Sequence, residues 1–240
     1  MKKYDTLQFQ KDLDSLCIHL SDSQIEQFLI YYEMLSERNK VMNLTAISEY
    51  EDVLKKHFVD GMCLVKVCEL STSMSLIDVG TGAGFPGLAL KIAFPELKVT
   101  LLDSLNKRVL FLDDVIRKLS LKDANTVHGR AEDLAKPGKL REKYDLCVSR
   151  AVANLSTLSE YCLPFVKVGG VFIAYKSEKV FEEILTADRS ISLLGGELER
   201  QLEFTLPNSD IYRNLVIIRK KVKTPNRFPR KSGIPSREPL

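Results

Sequence analysis

The spacing of apolar residues changes near residue 73. Before it, Ile25, Phe28, Leu29, Tyr32 and Leu35 recur at three- and four-residue steps, which puts them on one face of a helix. That helix opens at Ser21-x-x-Gln24, where a serine oxygen can accept from the backbone N–H three residues on while the glutamine reaches back. Ser48-x-x-Glu51 repeats the pattern ahead of Val53, Leu54, Phe58 and Leu64 and predicts a second helix, with a turn at Asn43-Leu44-Thr45 between the two. After residue 73, short apolar runs at 76–79, 99–102, 125–127, 146–148 and 171–174 alternate with helical patterns over 88–94, 107–119, 155–166 and 180–194. Strand alternating with helix predicts an α/β domain with a mostly parallel sheet. Two last runs, 201–206 and 215–219, flank Pro207-Asn208-Ser209-Asp210 and predict a C-terminal antiparallel hairpin. The expected organisation is a helical extension over 1–73, an α/β domain over 74–220 and a tail over 221–240. Prolines among basic residues, without an apolar period, predict that the tail is extended or partly disordered.

Composition narrows the setting. No run of eighteen apolar residues occurs, so no membrane span is expected, and Met1-Lys2-Lys3-Tyr4-Asp5 does not read as a secretory signal. The five cysteines (Cys17, Cys63, Cys68, Cys147, Cys162) are odd in number, form no C-x-x-C pair and sit in apolar segments. They predict a reducing cytoplasm, no disulfide framework and no metal site. The net charge of +3 conceals an asymmetry: nine of the 35 Lys and Arg, but only one of the 32 acidic residues, lie from Arg213 onward. A segment of +8 on a body of −5 points to a polyanionic partner, with Arg227, Arg230 and Lys231 as candidate RNA-phosphate contacts.

The chemistry is concentrated in Asp78-x-Gly80-x-Gly82-x-Gly84-Phe85-Pro86-Gly87, where a buried strand ends in a glycine-rich turn leading into a helix. Glycine is required where the chain turns sharply and a ligand approaches its backbone. A Rossmann-like fold binds such a ligand at the carboxyl edge of its sheet. A dinucleotide fingerprint starting at Gly80 would need its third glycine where Phe85 stands, whereas the observed spacing resembles motif I of class I S-adenosylmethionine methyltransferases. The next strand ends in Asp103, a carboxylate placed to accept the ribose hydroxyls of an adenosine. Ala131 and Glu132 follow the third strand and Arg150 ends the fourth, on the edge where the reacting group should lie.

Absent motifs narrow the target atom. The fourth strand ends in Val148-Ser149-Arg150-Ala151, not in the Asp/Asn-Pro-Pro-aromatic cluster of amino-group methyltransferases, and no cysteine beside a proline is available for attack on a cytosine ring. The target should therefore already be nucleophilic, as N7 of guanine is, so that transfer depends on positioning and electrostatics and no general base is assigned. His57 and Asp60 share a helical face. They read either as a surface hydrogen bond or as part of a helix that closes the cleft around the guanine.

Taken together with His57-Phe58-x-Asp60, Asn43-Leu44-Thr45, Asp103-Ser104-x-x-Lys107-Arg108, Arg130-Ala131-Glu132, Ser149-Arg150-Ala151 and Phe228-Pro229-Arg230-Lys231-x-Gly233-x-Pro235, the glycine loop makes the chain resemble the ribosomal RNA small-subunit methyltransferase G family, also called GidB. The resemblance runs from about Leu20 to the C-terminus. It implies S-adenosyl-L-methionine as methyl donor and N7 of a guanine in the decoding-region loop of bacterial 16S ribosomal RNA as acceptor, on free RNA or on the small ribosomal subunit. It also implies that Gly80, Phe85, Ala131, Glu132 and Arg150 line the cofactor; Gly82 and Asp103 are added from the loop and strand pattern. Three alternatives remain at this stage: a methyltransferase for another RNA, an NAD-dependent oxidoreductase, and a non-catalytic RNA-binding module.

Overall fold

The computed structural model describes residues 4–70, 73–177 and 180–240, so residues 1–3, 71 and 72 of the expected helical extension lie outside it. Seven strands form one sheet in the order β3-β2-β1-β4-β5-β7-β6: β1 (Ser75–Val79), β2 (Lys98–Asp103), β3 (Ala124–His128), β4 (Tyr144–Arg150), β5 (Val166–Lys176), β6 (Gly196–Thr205) and β7 (Tyr212–Lys220). The first five are parallel, and β7 runs antiparallel to both β5 and β6. The strand order reverses between β1 and β4, the position where open α/β sheets bind ligands beyond their carboxyl ends. Because β7 is inverted, its first residues, Tyr212 and Arg213, lie at that same edge, where Asn214 pairs with Lys176 at the end of β5.

Both faces of the sheet are buried, and its side chains sort by a period of two. Leu76, Leu146, Val148, Ile173, Leu215 and Ile217 face one cluster, together with α5 (Gly87–Ala93) and α6 (Asn106–Lys118). Ile77, Cys147, Phe172, Ala174, Val216 and Ile218 face the other, with α8 (Leu155–Cys162) and α9 (Val180–Leu193). The short helix α7 (Ala131–Leu134) follows β3.

The N-terminal helices join the first of these clusters. Helices α1 (Leu7–Asp14) and α2 (Asp22–Met42) contribute Phe9, Phe28 and Tyr31 to it. The predicted capping box at Ser21 and Gln24 is formed, and Gln24 also donates to the carbonyls of Ile92 and Ala93 at the end of α5. The second predicted box is not formed. The next helix begins at Tyr50, behind an N-cap Glu49 with no side-chain cap. Tertiary packing sets that start: the Tyr50 ring stacks on Tyr4 at 4.7 Å and its hydroxyl donates to the Asp5 carbonyl. Nor is it one regular helix. An α turn, α3 (Tyr50–Val53), widens into a π turn over Leu54–Val59 and narrows again through α4 (Asp60–Met62) into a 3₁₀ turn, Cys63–Lys66. Wide π turns of this kind recur at functional sites.

The tail departs most from expectation. Residues 221–240 fold back over α8, and the last helix, α10 (Ile234–Arg237), packs against it. Without an apolar period to order them, these residues are held by polar side chains of the α/β body. The Arg141 guanidinium donates to the carbonyls of Ala135, Thr224, Pro225 and Phe228. The fully buried Lys220 ammonium donates to the carbonyls of Leu163 and Leu194 and to the Thr224 hydroxyl. Burial draws the Lys220 pKa down to about 8. Glu160, with no exposed surface on α8, accepts the backbone N–H of Arg230 at 2.7 Å and pairs with its guanidinium at 2.7 Å. Order in the tail therefore comes from bonds that no periodicity encodes.

Removing one partner of a buried ion pair leaves the other charge uncompensated, at a cost of roughly 3–5 kcal/mol. Arg230→Ala is expected to lose about that much stability in urea unfolding, because Glu160 stays buried. Arg227→Ala, at an exposed position, should change stability by about 0.5 kcal/mol or less. Equal midpoints for the two variants would show that the tail is not latched at Glu160.

Candidate functional site

The turn after β1 takes the conformation its glycines allow, with φ of +71° at Gly80, +61° at Gly82 and +105° at Gly84. Asp78, fully buried beneath the turn, organises it: Oδ2 accepts from the Thr81 hydroxyl at 2.7 Å and from the Gly87 N–H at 2.8 Å. Burial pushes the Asp78 carboxyl up to about 6, against the pull of those bonds and of Arg150. Its Oδ1 has no protein partner. A Cβ on Gly84 or Gly87 would strike Tyr31, Leu112, Leu101 or Asp78 within 3 Å, so those two glycines are required by packing. Gly82 differs. A Cβ there would meet nothing closer than the Gly80 carbonyl at 4.0 Å, so this backbone faces open space.

Asp103, at the end of β2, does not line that space as an unused acceptor. Its Oδ2 accepts the Gly82 N–H at 2.9 Å and its Oδ1 the Leu105 N–H at 2.9 Å, with Arg108 at 3.4 Å, and the residue is only 2 % exposed. It braces the glycine loop against β2. Ser104, the next residue, reaches the cavity instead. That cavity, of about 280 Å³, is bounded by Gly80, Ser104, Arg130, Ala131 and Glu132 from three successive strand ends. A nucleoside cofactor fits this arrangement, with open backbone at Gly82 and a polar-edged slot beside it.

The second part of the site lies beyond β4. Arg150 is predominantly buried and three hydrogen bonds hold its guanidinium: Nη1 donates to Asp60 Oδ2 at 2.9 Å and to the Lys56 carbonyl at 3.0 Å, and Nη2 donates to His57 Nδ1 at 3.0 Å. All three partners lie on the π turn or at its end. Asp60 also takes Arg213 Nε on its other oxygen at 3.1 Å, so two guanidinium groups share one carboxylate that is 2 % exposed. His57 stacks on Phe85 with ring centroids 4.5 Å apart and a 16° interplanar angle, and Arg150 lies over the same ring at 5.4 Å. Burial first, then the Arg150 charge, lowers the His57 pKa to about 3. The ring is therefore neutral. With Nδ1 accepting from Arg150, its proton is on Nε2, which donates to Thr45 Oγ1 at 2.8 Å. Asn39 fixes Thr45 in turn, exchanging two bonds of 2.9 Å with its backbone.

These groups border a cavity of about 400 Å³ lined by Lys56, His57, Asp60, Arg150, Lys176 and Arg213, among others. The structure thus brings together Gly80, Ala131 and Glu132 around one cavity and Arg150, His57 and Asp60 around the other, with Phe85 in contact with His57 and Arg150. It does not bring in Arg230, whose guanidinium is committed to Glu160; Arg227 and Lys231 are exposed. Sequence reasoning missed Arg213, which it counted only as part of the basic tail. The available signal was its place at the start of an antiparallel last strand, which returns it to the carboxyl edge.

Comparison with known proteins adds independent findings. A family model described as rRNA small subunit methyltransferase G matches residues 24–212. Proteins named ribosomal RNA small subunit methyltransferase G are similar over nearly the whole chain. The one from Lachnoclostridium phytofermentans is 51 % identical and covers 98 % of each chain; that from Acetivibrio thermocellus is 52 % identical over 93 % of this chain and 91 % of its own. Among solved structures, P. horikoshii TYW2 in complex with MeSAdo superposes with a TM-score of 0.53 at 16 % identity, covering 72 % of this chain and 64 % of that one. A SAM-dependent methyltransferase from Aquifex aeolicus gives a TM-score of 0.50 at 19 % identity, covering 70 % and 92 %. These likenesses establish the Rossmann-like methyltransferase fold.

The buried imidazole yields a direct test. His57 should stay neutral, with its proton on Nε2, in nitrogen-15 spectra taken down to about pH 4. Because the folded pKa is depressed, the stabilisation this ring provides should be present above about pH 6.5 and decline as pH falls toward 3. A His57 inflection near pH 6.5 would contradict the geometry.

Proposed function

The chain belongs to the rRNA small subunit methyltransferase G family, and from that premise we propose that its cleft methylates N7 of a guanine in the decoding-region loop of bacterial 16S ribosomal RNA. The enzyme uses S-adenosylmethionine to methylate ribosomal RNA; the base, the atom and the position are the proposal, as are the cytoplasmic location and the small ribosomal subunit as partner. One observation carries it. Among the described residues around the substrate cavity, every carboxylate is already paired and the only imidazole is neutral. Asp60 serves two arginines, Glu183 serves Lys176 at 2.6 Å and the Leu155 N–H at 2.7 Å, and His57 is locked between Thr45 and Arg150. Cys147 and Cys162 are fully buried, and burial pushes the Cys147 thiol up. A site without a free base or nucleophile suits an acceptor that needs no deprotonation. Guanine N7 has such a lone pair.

S-adenosylmethionine, when bound, supplies an electrophilic methyl group on a sulfonium. The protein's part is binding and orientation. Gly80, Gly82, Ala131 and Glu132 would hold the nucleoside and methionine portions, Asp103 would keep the Gly82 backbone in place, and any ribose contact would use its remaining lone pairs. His57 and Arg150, backed by the Phe85 ring, would form a rigid wall against which a base can be positioned, the entropic contribution expected of a reaction without proton transfer. Asp60 with its two arginines carries a net charge of +1. That surplus would attract an RNA phosphate and guide the base inward.

Two experiments test this reading. The first maps the product: small subunits incubated with the enzyme and labelled S-adenosylmethionine should carry label on one guanine, at N7, and Gly82→Val should lose both cofactor binding and label while remaining folded. Normal calorimetric affinity in a folded Gly82→Val protein would remove the loop from the cofactor site, and label on another atom would overturn the N7 assignment. The second concerns Arg227 and Lys231, two exposed cations of the tail. Each phosphate neutralised contributes roughly 0.7–0.9 to the slope of log affinity against log salt, so Arg227→Ala with Lys231→Ala should flatten the RNA-binding slope by about 1.5. An unchanged slope would move the RNA surface to the α/β body.

A further inference from the structure

The nucleoside cavity has a wall that the preceding reading does not use. Besides Gly80 and Ala131, its lining includes Tyr161 of α8 and Ser236 of α10. Ser236 follows β7 by sixteen residues and reaches the cavity only because the C-terminal segment doubles back across α8. That path is pinned along its length. The Ser232 hydroxyl donates to Asp133 Oδ2 at 2.8 Å, and the Gly233 N–H donates to Glu132 Oε1 at 2.9 Å. The Thr157 hydroxyl donates to the Pro235 carbonyl at 3.0 Å, and the Ser156 hydroxyl to the Leu240 carbonyl at 2.8 Å. The first two bonds end on α7, the short helix whose first residues face the cavity. Glu132 therefore belongs to the cavity and to the tail at once, and it is 3 % exposed.

We propose that the C-terminal segment is a strap that completes the cofactor site, with Tyr161 and Ser236 facing the nucleoside portion of S-adenosylmethionine and with bound ligand and docked strap stabilising each other through Glu132. This rests on the cofactor occupying the cleft as proposed above. The Ser236 hydroxyl donates to the Gly233 carbonyl at 3.1 Å, which leaves its oxygen to accept from the amino group of an adenine, while the Tyr161 hydroxyl can donate to a ring nitrogen. Val79, Leu102 and Val152 supply apolar surface for the ring faces in the same cavity. Residues 232–236 are held by individual side-chain bonds, not by a strand ladder, which makes this segment able to open locally while the sheet stays folded. A ligand shifts such an opening only by binding one state better than the other, and a ligand touching both walls does so. The coupling is reciprocal: a loosened strap lowers cofactor affinity by the same factor by which cofactor tightens the strap.

The experiment combines amide hydrogen exchange with calorimetry on the full chain. Saturating S-adenosylmethionine should slow exchange at Gly233 by tenfold or more. Ser236→Trp, which fills the cavity from an exposed position, should weaken cofactor binding at least tenfold without moving the unfolding midpoint, and Tyr161→Phe should weaken it several-fold. The proposal requires both the exchange protection and the affinity loss. Wild-type affinity in a folded Ser236→Trp protein, or exchange at Gly233 indifferent to ligand, overturns it even when wild-type protein binds the cofactor well. Absence of cofactor binding by the wild-type protein would instead overturn the reading on which it rests.

Discussion

A guanidinium at the end of the central strand β4 must find acceptors when it is taken out of water, and the rest of this molecule is arranged around that requirement. Arg150 projects from the sheet at the point where the strand order reverses, and the side chains that accept its hydrogen bonds come from outside the sheet. The N-terminal helical segment supplies Asp60, the Lys56 carbonyl and His57 Nδ1. A buried ion pair stabilises a fold little by itself, but a broken one is costly, so it acts mainly as a specifier of geometry. Here it fixes the N-terminal helices over the carboxyl edge of the sheet. Arg213 then adds a second cation to the same carboxylate, and the cleft is left with a small positive surplus facing solvent.

The same contact extends into the glycine loop through stacked rings. Phe85 ends the loop, stacks on His57, and packs against Tyr31 and Phe58, which continue to Phe28 and Phe9 in α2 and α1. Aromatic pairs of this kind contribute about 0.5–1.5 kcal/mol each beyond area burial. They make the wall of the substrate cavity continuous with the hydrophobic core, and that continuity gives rigidity. A site that moves no proton has little to gain from a mobile base and much to gain from a fixed surface. The depressed histidine pKa fits this arrangement: the ring serves as a flat, neutral, hydrogen-bonded plate.

At the other end of the cleft the burden falls on backbone. Asp78 and Asp103 resemble functional carboxylates in sequence, yet Asp103 spends both oxygens, and Asp78 its Oδ2, on N–H or hydroxyl groups of the loop and its neighbours. Carboxylates are strong acceptors, and a loop with three positive-φ glycines has many N–H groups without a ladder partner. Pairing the two holds an otherwise flexible turn open at Gly82. The C-terminal segment is solved by related chemistry, with Arg141, Glu160 and Lys220 supplying the bonds that strands or helices would otherwise provide.

The strand–helix alternation, the sheet class, the hairpin, the first capping box and the glycine loop were legible in the sequence because each depends on neighbours along the chain. Periods of two and 3.6, and the conformational freedom of glycine, are local properties. The second capping box was misread because the packing of Tyr50 on Tyr4 overrode a local signal. The tail was read as extended or partly disordered because much of its order comes from bonds to residues far away in the chain, such as Arg230 to Glu160, 70 positions apart. Likewise, nothing in the linear charge count separates Arg230, spent on a buried glutamate, from Arg227 and Lys231, which face solvent. Only the tertiary structure could decide that Arg150, His57, Asp60 and Arg213 form one network. Their meeting depends on a parallel sheet placing a strand end beneath a helix some ninety residues earlier, and on an inverted last strand bringing its own start back to the same edge.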